Sequence, residues 1–365
     1  MKKITVLVDV YYLKAAVAGI GSYIREFEAS CKDHGSHDIN YEFSHDINKL
    51  TGNSFFLNSN NRIIRWIFQI RYLIYKQVQL PLKILFYKAD YIICPDYIAP
   101  VFTFNAKKIT VLHDSLFWDQ KNNYSVLWKK YFIFLINLGM NSKTQIVTTS
   151  NYSKNNLIKI LGSNKSISAV YQSFNFHKTS SSNYKTPENY LLHIGSFEKR
   201  KDLITLVKAF KLVDDPNLKL VLAGAQIING NSEVFDEIKT FIVQNKLEGK
   251  VILEGYVSKK EASVLYKNAR IYVFPSLDEG FGIPVLEALS FSVPVICSDI
   301  DVFKEVGGEY VEYFKVGDSI SLSKKINSIL KSENFKQKNN IKHLNKFSRK
   351  NFIKGFEQII LDSND

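Results

Sequence analysis

Ten short runs rich in β-branched and other apolar residues, each closed by a polar or glycine turn, set the main constraint on how this 365-residue chain folds. They are ITVLVDV (4–10), DYIIC (90–94), KITVLHD (108–114), TQIVTTS (144–150), SISAVYQ (166–172), YLLHIGS (190–196), LKLVLAG (218–224), KVILEGY (250–256), ARIYVFPS (269–276) and VPVICSD (293–299). Amphipathic stretches of helical length lie between most of them, such as DLITLVKAFKLV (202–213) and KKEASVLYKNA (259–269). Strands that do not alternate apolar with polar are buried on both faces, and alternation with helices implies parallel βα units. The pattern predicts an open, doubly wound α/β fold.

The length suggests two domains, at roughly 100–200 residues each. Residues 174–189, FNFHKTSSSNYKTPEN, interrupt the βα rhythm with a serine-rich, polar run that ends near a proline, so they read as a linker. Two Rossmann-like domains are therefore expected, 1–173 and 190–345, facing a cleft. In such sheets ligands sit beyond the carboxyl ends of the strands, which makes the strand exits the informative positions.

The formal net charge is +13, which favours an anionic partner such as nucleic acid, a membrane surface or a phosphorylated small molecule. The three cysteines, Cys31, Cys94 and Cys297, are far apart and show no CxxC spacing. They imply neither a disulfide framework nor a zinc site, and fit a reducing cytoplasm. MKKITVLVDVYY imitates a signal peptide, but Asp9 cuts its apolar run short of the ~7–15 residues a signal core needs, so it reads as a first buried strand. No uncharged run approaches the ~20 residues of a membrane span.

Residues 61–88 carry Arg62, Arg65, Arg71, Lys76, Lys83 and Lys88 with no acid, interleaved with Trp66, Phe68, Tyr72, Tyr75, Phe86 and Tyr87. Two readings are open: a membrane-surface helix, or a core helix whose basic stems lie over apolar neighbours. SVLWKKYFIFLINLGM (125–140) has a similar composition and is expected in the core.

At the strand exit YLLHIGS, Gly195 is followed by Lys199, Arg200 and Lys201 just before a helix. A glycine turn, a helix N-terminus and clustered cations form a diphosphate site. The second informative exit is DEGFGIPVLEAL (278–289), a turn that runs into a helix with Pro284 in its first turn. Gly280 and Gly282 let backbone N–H groups approach a ligand. Glu279 and Glu287 would repel phosphate, so they are expected to bind neutral hydroxyls. Hydroxyls at both ends and phosphates between describe a nucleoside diphosphate sugar, with Glu279 on the sugar and Glu287 on the ribose.

D-E-G-F-G-I-P-V-L-E-A resembles the E-x7-E motif of retaining glycosyltransferases of family four (glycosyl transferases group 1), which have the GT-B fold. The resemblance extends over almost the whole chain: AGIGSYIREF (18–27), VLHDSLFWD (111–119), TTSNYSKNNL (148–157), HIGSFEKRKDL (193–203), VPVICSDI (293–300) and EVGGE (305–309) each match a family segment. It implies an acceptor-side first domain, a nucleotide-sugar-binding second domain, and a hexosyltransferase that retains anomeric configuration without a metal or other cofactor. Residues 346–365 are expected to form a C-terminal helix returning to the first domain. Gly19 and Gly21 would approach the donor diphosphate, and His113 would lie near the transferred sugar. Gly195 would form the phosphate loop and Arg200 and Lys201 would bind the diphosphate. Glu279 would hold sugar hydroxyls, the amides of Phe281 and Gly282 would face the sugar and phosphate, and Glu287 would bind the ribose. Tyr256 and Val257 would lie beside the base.

Four positions depart from the family pattern. Ser196 stands where many relatives have arginine, Lys199 replaces a proline and Asp202 replaces an asparagine, so Arg200 must carry more of the phosphate charge; the fourth, Ala225, stands where relatives often have a lysine. Asp299-Ile-Asp301 imitates the DxD of metal-dependent transferases but is expected to be a helix cap and loop. The implied partners are a nucleoside diphosphate sugar, with GDP-mannose preferred over UDP-hexoses, and a lipid-linked glycan acceptor in surface polysaccharide or O-antigen assembly. The implied location is cytoplasmic, peripheral to the membrane's inner face. A nucleotide-sugar epimerase or a hydrolase with a carboxylate pair remains an alternative. A nucleic-acid binder is disfavoured, because the basic residues are dispersed and no recognised module is present.

Overall fold

The computed structural model describes residues 3–15, 19–50, 62–115, 117–118, 126–174, 184–224, 233–332 and 338–363, with 62, 63 and 65 described by backbone alone. It divides into two compact units, Met1–Asn175 with Asn345–Asp365, and Phe176–Leu344. Of the proposed linker, residues 175–183 lie outside the described residues, as does Ala225.

The first unit holds strands β1 (Ile4–Val8), β2 (Ile39–Phe43), β3 (Tyr91–Cys94), β4 (Lys107–Val111), β5 (Gln145–Thr148) and β6 (Ile167–Ala169) in the order β2-β1-β3-β4-β5-β6. Every pairing in it is parallel. Its helices are α1 (Ile20–His34), α2 (Arg62–Ile74), α3 (Leu80–Tyr87), α4 (Val126–Gly139) and α5 (Asn151–Leu161). The second unit holds β7 (Tyr190–Ile194), β8 (Lys219–Ala223), β9 (Val251–Gly255), β10 (Ile271–Phe274), β11 (Val295–Ser298) and β12 (Glu312–Phe314), ordered β12-β11-β10-β7-β8-β9 and again all parallel. Its helices are α6 (Leu203–Lys211), α7 (Glu233–Gln244), α8 (Lys259–Asn268), α9 (Ile283–Ser290), α10 (Asp301–Gly307), α11 (Ser319–Lys331) and α12 (Ile341–Asn345). The doubly wound α/β class expected from the sequence is what each unit shows.

All ten apolar runs contain a strand shorter than the run; in all but DYIIC the last residues already belong to the exit loop. β2 (INYEF) and β12 (EYF) escaped the sequence reading. Both sit at sheet edges and are only partly buried, so neither carries a continuous apolar run.

The order of strands reverses between β1 and β3 in the first sheet and between β7 and β10 in the second. Loops leaving the two strands at such a reversal diverge and open a crevice. In the first unit that place is filled by its own side chains. Asp9 follows β1, Asp96 follows β3, and fully buried Lys76 reaches both at 2.5 Å. Tyr75 donates to Asp9 and Tyr72 to Asp96, each at 2.8 Å. Burial pushes Asp9 up, but Lys76 outweighs it and holds the carboxyl below its usual range.

Residues 75–79 form a π turn that joins α2 to α3. In segment 61–88 the core reading is met on one side: Phe68, Tyr72, Tyr75, Leu80 and Ile84 enter the core, while Trp66, Ile70, Ile74, Val78 and Phe86 are exposed. Segment 125–140 meets the core expectation along one face, where Leu135, Ile136 and Met140 enter the core and Tyr131 and Phe132 pack against it. Only Leu135, Ile136 and Gly139 of α4 are buried, and Val126, Leu127, Phe134 and Leu138 face outward.

The closing helix α13 (Arg349–Asp362) belongs to the first unit and packs on α1. Phe352 and Phe356 meet Phe27 edge-on, with ring centroids 5.7 and 4.9 Å away. Arg349 pairs with Glu26 and Asp33 of α1.

Candidate functional site

The second unit brings two strand-exit loops together at its reversal point. After β7 the chain passes Gly195, then a 3-10 turn at Lys199–Lys201, then Asp202 in the left-handed region at φ 47°. After β10 it passes Ser276 to Glu279. Leu277 N–H donates to the Arg200 carbonyl at 2.7 Å, stitching the loops together. Glycine is required at two positions here. A Cβ on Gly195 would lie 2.8 Å from the buried His193 Nε2, and one on Gly224 would lie 1.8 Å from the Gly195 carbonyl oxygen.

Glu279 is nearly buried and its carboxylate is fully engaged. Oε2 pairs with Arg200 Nη1 at 2.7 Å, and Oε1 accepts from Lys201 Nζ and, at 2.9 Å, from Ser276 Oγ. Arg200 Nε also pairs with Glu198 at 2.8 Å, and Ser196 Oγ donates to Glu198 at 2.6 Å. Lys201 Nζ sits over the Phe274 ring, 4.7 Å from its centroid. Burial raises Glu279, but Lys201 and Arg200 together pull it down to about 2. Burial lowers Lys201, and Glu279 only partly restores it.

The sequence reading assigned the cations to phosphate and Glu279 to hydroxyls. In the structure the three groups hold one another, because a buried carboxylate beside buried cations is stable only when paired. The cluster of Arg200, Lys201, Glu279 and Glu198 is formally neutral. Arg200, still partly exposed, has more N–H donors than the two carboxylates occupy.

Glu287 lies one turn into α9 and accepts from Tyr266 of α8 at 3.0 Å. Burial raises it to about 7, against the lowering effect of the Tyr266 hydrogen bond and Lys259. Tyr272 of β10 feels both acids: after burial, Glu287 and then Glu279 push its hydroxyl up. Gly282 caps α9 at φ 104°, and a Cβ there would lie 2.9 Å from the Phe303 ring. Phe281 beside it is buried. Tyr256, just past β9, is exposed, and Val257 is half-buried. Asp299 pairs with Lys304 at 2.6 Å and Asp301 is the first residue of α10; Ile300 holds the N-cap position and no side chain caps the helix, so DID lies in a loop and helix start without the expected cap.

In the first unit, Gly19 is the N-cap of α1 at φ 57°, Gly21 is buried in its first turn, and Tyr23 N–H donates to the Gly19 carbonyl. The Tyr23 ring meets His113 edge-on at 4.7 Å, so the α1 start and the β4 exit form one cluster. His113 Nε2–H donates to the Pro95 carbonyl at 2.7 Å, leaving Nδ1 as the lone-pair nitrogen. Burial lowers this histidine to about 4, so it is neutral at physiological pH.

Sequence reasoning missed Glu198, Ser276, Tyr266 and Tyr272. The first two lie within loops already singled out, and both are polar groups at strand exits. The tyrosines gave no signal, since Tyr266 reaches Glu287 only by folding across 21 positions.

The glycosyl transferases group 1 family matches residues 176–349, which are almost wholly the second unit. The curated relatives include the O-antigen chain mannosyltransferase RfbU of Salmonella typhimurium, 32% identical over 206 residues, covering 56% of each chain. They also include O-antigen chain mannosyltransferase B of Escherichia coli, 35% identical over 123 residues, covering 33% of this chain and 32% of that one. The matched stretch spans about half the length of the first and about a third of the second. Among solved structures, sucrose-phosphate synthase from Thermosynechococcus elongatus superposes with a TM-score of 0.71 at 16% identity over 99% of both chains. HepE from Anabaena, solved with UDP and glucose, gives 0.67 at 15% identity over 99% of both chains. These likenesses, with the two parallel sheets, define the fold class as GT-B.

Proposed function

We propose that the chain is a metal-independent, retaining hexosyltransferase that moves a hexose from a nucleoside diphosphate sugar to a lipid-linked glycan in bacterial surface polysaccharide assembly. The observation that carries this reading is the junction of the β7 and β10 exit loops through Arg200, Lys201 and Glu279, with Glu287 one turn into the adjoining helix. The diphosphate takes the free N–H donors of Arg200, the Lys201 ammonium and the N-terminal amides of α9. Phe281 and Gly282 belong to that N-terminus. Glu287 accepts from the ribose hydroxyls, and Tyr256 and Val257 flank the base. Glu279 orients both cations and shares its oxygens with the sugar hydroxyls. As the glycosidic bond breaks, Arg200 and Lys201 stabilise the charge growing on the leaving diphosphate oxygen. That oxygen takes the acceptor's proton on the same face, so configuration is retained.

The names of the O-antigen mannosyltransferase relatives favour GDP-mannose, and the UDP bound to HepE makes UDP-glucose the second donor to test. The site lies on the cytoplasmic side, where such donors are made. Thermal-shift titration with both nucleotide sugars should raise the melting point with one of them. Incubation with that donor, with and without a lipid-linked glycan extract and with excess chelator, should then give an α-linked product only when acceptor is present. Donor loss without acceptor would indicate hydrolysis or epimerisation instead, and no shift with any nucleotide sugar would sink the proposal.

A further inference from the structure

Three stretches of the first unit, residues 62–89, 97–112 and 126–148, contain no aspartate or glutamate, yet they carry Arg71, Lys83, Lys88, Lys129 and Lys130. They also hold most of that unit's exposed large apolar side chains. Ile67, Ile70, Ile74, Val78, Leu82 and Phe86 recur every three or four residues along α2, the π turn and α3, and all are exposed. At 1.5 Å per residue the stripe runs about 28 Å. A helix on the surface of a water-soluble unit buries its apolar face and turns its polar face outward. Here the inward face is filled by Phe68, Tyr72, Tyr75 and Ile84, and the outward face is apolar as well.

The loop after β3 extends the surface. Phe102 is 73% exposed and Phe104 58%, and with Val78, Leu82 and Val101 they wall a groove of about 470 Å³. The elements are fixed to one another. The Gln77 side chain accepts from Val101 N–H at 2.9 Å, and buried Lys108 donates to the carbonyls of Gly139 and Val101. Cations flank the stripe: Arg71 and Lys88 are exposed, and Arg71 and Lys83 approach Lys14 closely enough to add to the lowering that burial gives it.

We propose that this surface docks the protein in the plane of an anionic lipid bilayer, with the stripe and Phe102–Phe104 entering the acyl boundary and Arg71, Lys83 and Lys88 on headgroup phosphates. Exposed apolar patches of this extent mark interaction sites, and an apolar face flanked by basic side chains fits a charged bilayer interface. Charge excludes the simplest rival. A second copy would bring one acid-free basic surface against another. Docking needs no sugar donor, so it stands or falls separately from the transferase reading.

Vesicle flotation without nucleotide sugar tests it. The full chain should float with mixed phosphatidylglycerol–phosphatidylcholine vesicles and much less with pure phosphatidylcholine. The stripe variant Ile74→Asp/Val78→Asp/Leu82→Asp should lose at least about tenfold of the bound fraction. Arg71→Glu/Lys88→Glu should lose about fivefold or more per residue, since each basic side chain near such a surface contributes about that factor. The loop variant Phe102→Ser/Phe104→Ser, outside the helix, should also bind less, which covers the case in which the stripe variant fails to fold. The proposal is overturned if the unaltered chain stays off anionic vesicles or if the loop variant and a folded stripe variant both float normally. It is equally overturned if sedimentation shows a dimer that the stripe substitutions dissociate.

Discussion

Arg200 Nη1 lies 2.7 Å from Glu279 Oε2, a bond between the exit loops of β7 and β10, and Lys201 holds the other carboxylate oxygen. The strand-order reversal puts these two loops side by side, and the ion cluster closes their junction. With Glu198 included, the cluster has no net charge, so the proposed donor diphosphate would have to be held by N–H donors that the carboxylates leave unused.

Removing one carboxylate should therefore separate affinity from turnover. Glu198→Gln frees Arg200 Nε and should tighten donor binding by about threefold to tenfold, in line with roughly 1 kcal/mol for a partly exposed pair. Glu279→Gln leaves Lys201 buried beside an uncharged partner and should lower kcat by at least about a hundredfold. Isothermal titration with the donor and steady-state kinetics distinguish the two; equal effects of both variants on Kd and kcat would contradict the assignment.

The same carboxylate gives an acid signature. Glu279 is depressed to about 2, below its unfolded value of 4.5. Its stabilising effect is present above the unfolded value and is lost as pH falls through the folded one, and it is worth about 3 kcal/mol at most. Between pH 5 and 3 the melting temperature of the unaltered chain should fall more steeply than that of Glu279→Gln.

Glu287 works in the opposite direction. It is raised to about 7, so the folded chain binds a proton that the unfolded chain has released; the stability this gives is full below 4.5 and is lost as pH rises through about 7. Ionised, it is the better hydroxyl acceptor. Donor affinity should rise from pH 6 to 8, and Glu287→Gln should bind more weakly with a flat pH profile. A variant that keeps the slope would show that another group titrates.

Gly282 combines two demands that can be tested apart. At φ 104° any side chain is strained, and a Cβ would also press within 2.9 Å of the Phe303 ring. Gly282→Ala should cost about 1–3 kcal/mol of stability and displace the α9 N-terminus. Adding Phe303→Leu relieves the clash but not the torsion, so denaturant midpoints should show partial recovery only. Full recovery would mean that the torsion carries no strain.

Lys76→Met would strand two buried carboxylates, Asp9 and Asp96, and should cost about 3–5 kcal/mol. Asp9 would then rise above its unfolded value and Asp96, which burial already raises to about 6, would climb further, so the loss should deepen as pH increases. The triple variant Asp9→Asn/Lys76→Met/Asp96→Asn removes every charge and should recover most of the stability. If it melts as low as the single variant, packing around the π turn, not charge, holds this crevice shut.

Periodicity alone determined the class of this fold. Runs such as YLLHIGS and ARIYVFPS, apolar on both faces, have no stable place except a parallel sheet covered on both sides, and their glycine and polar ends mark the exits where ligands bind. The edge strands INYEF and EYF were hidden because one flank has no neighbour and they need no unbroken apolar run. The motif DEGFGIPVLEAL and the cations after Gly195 marked the candidate site but not its wiring. That Glu279 faces Arg200 and Lys201, that Tyr266 caps Glu287, and that Lys76 seals the other unit's crevice depend on which strands lie at each reversal. Strand order is set by long-range pairing, which leaves no local trace. The same holds for residues 62–89: their sequence carries the apolar and basic residues, but only packing decided which side faces the core and which stays exposed.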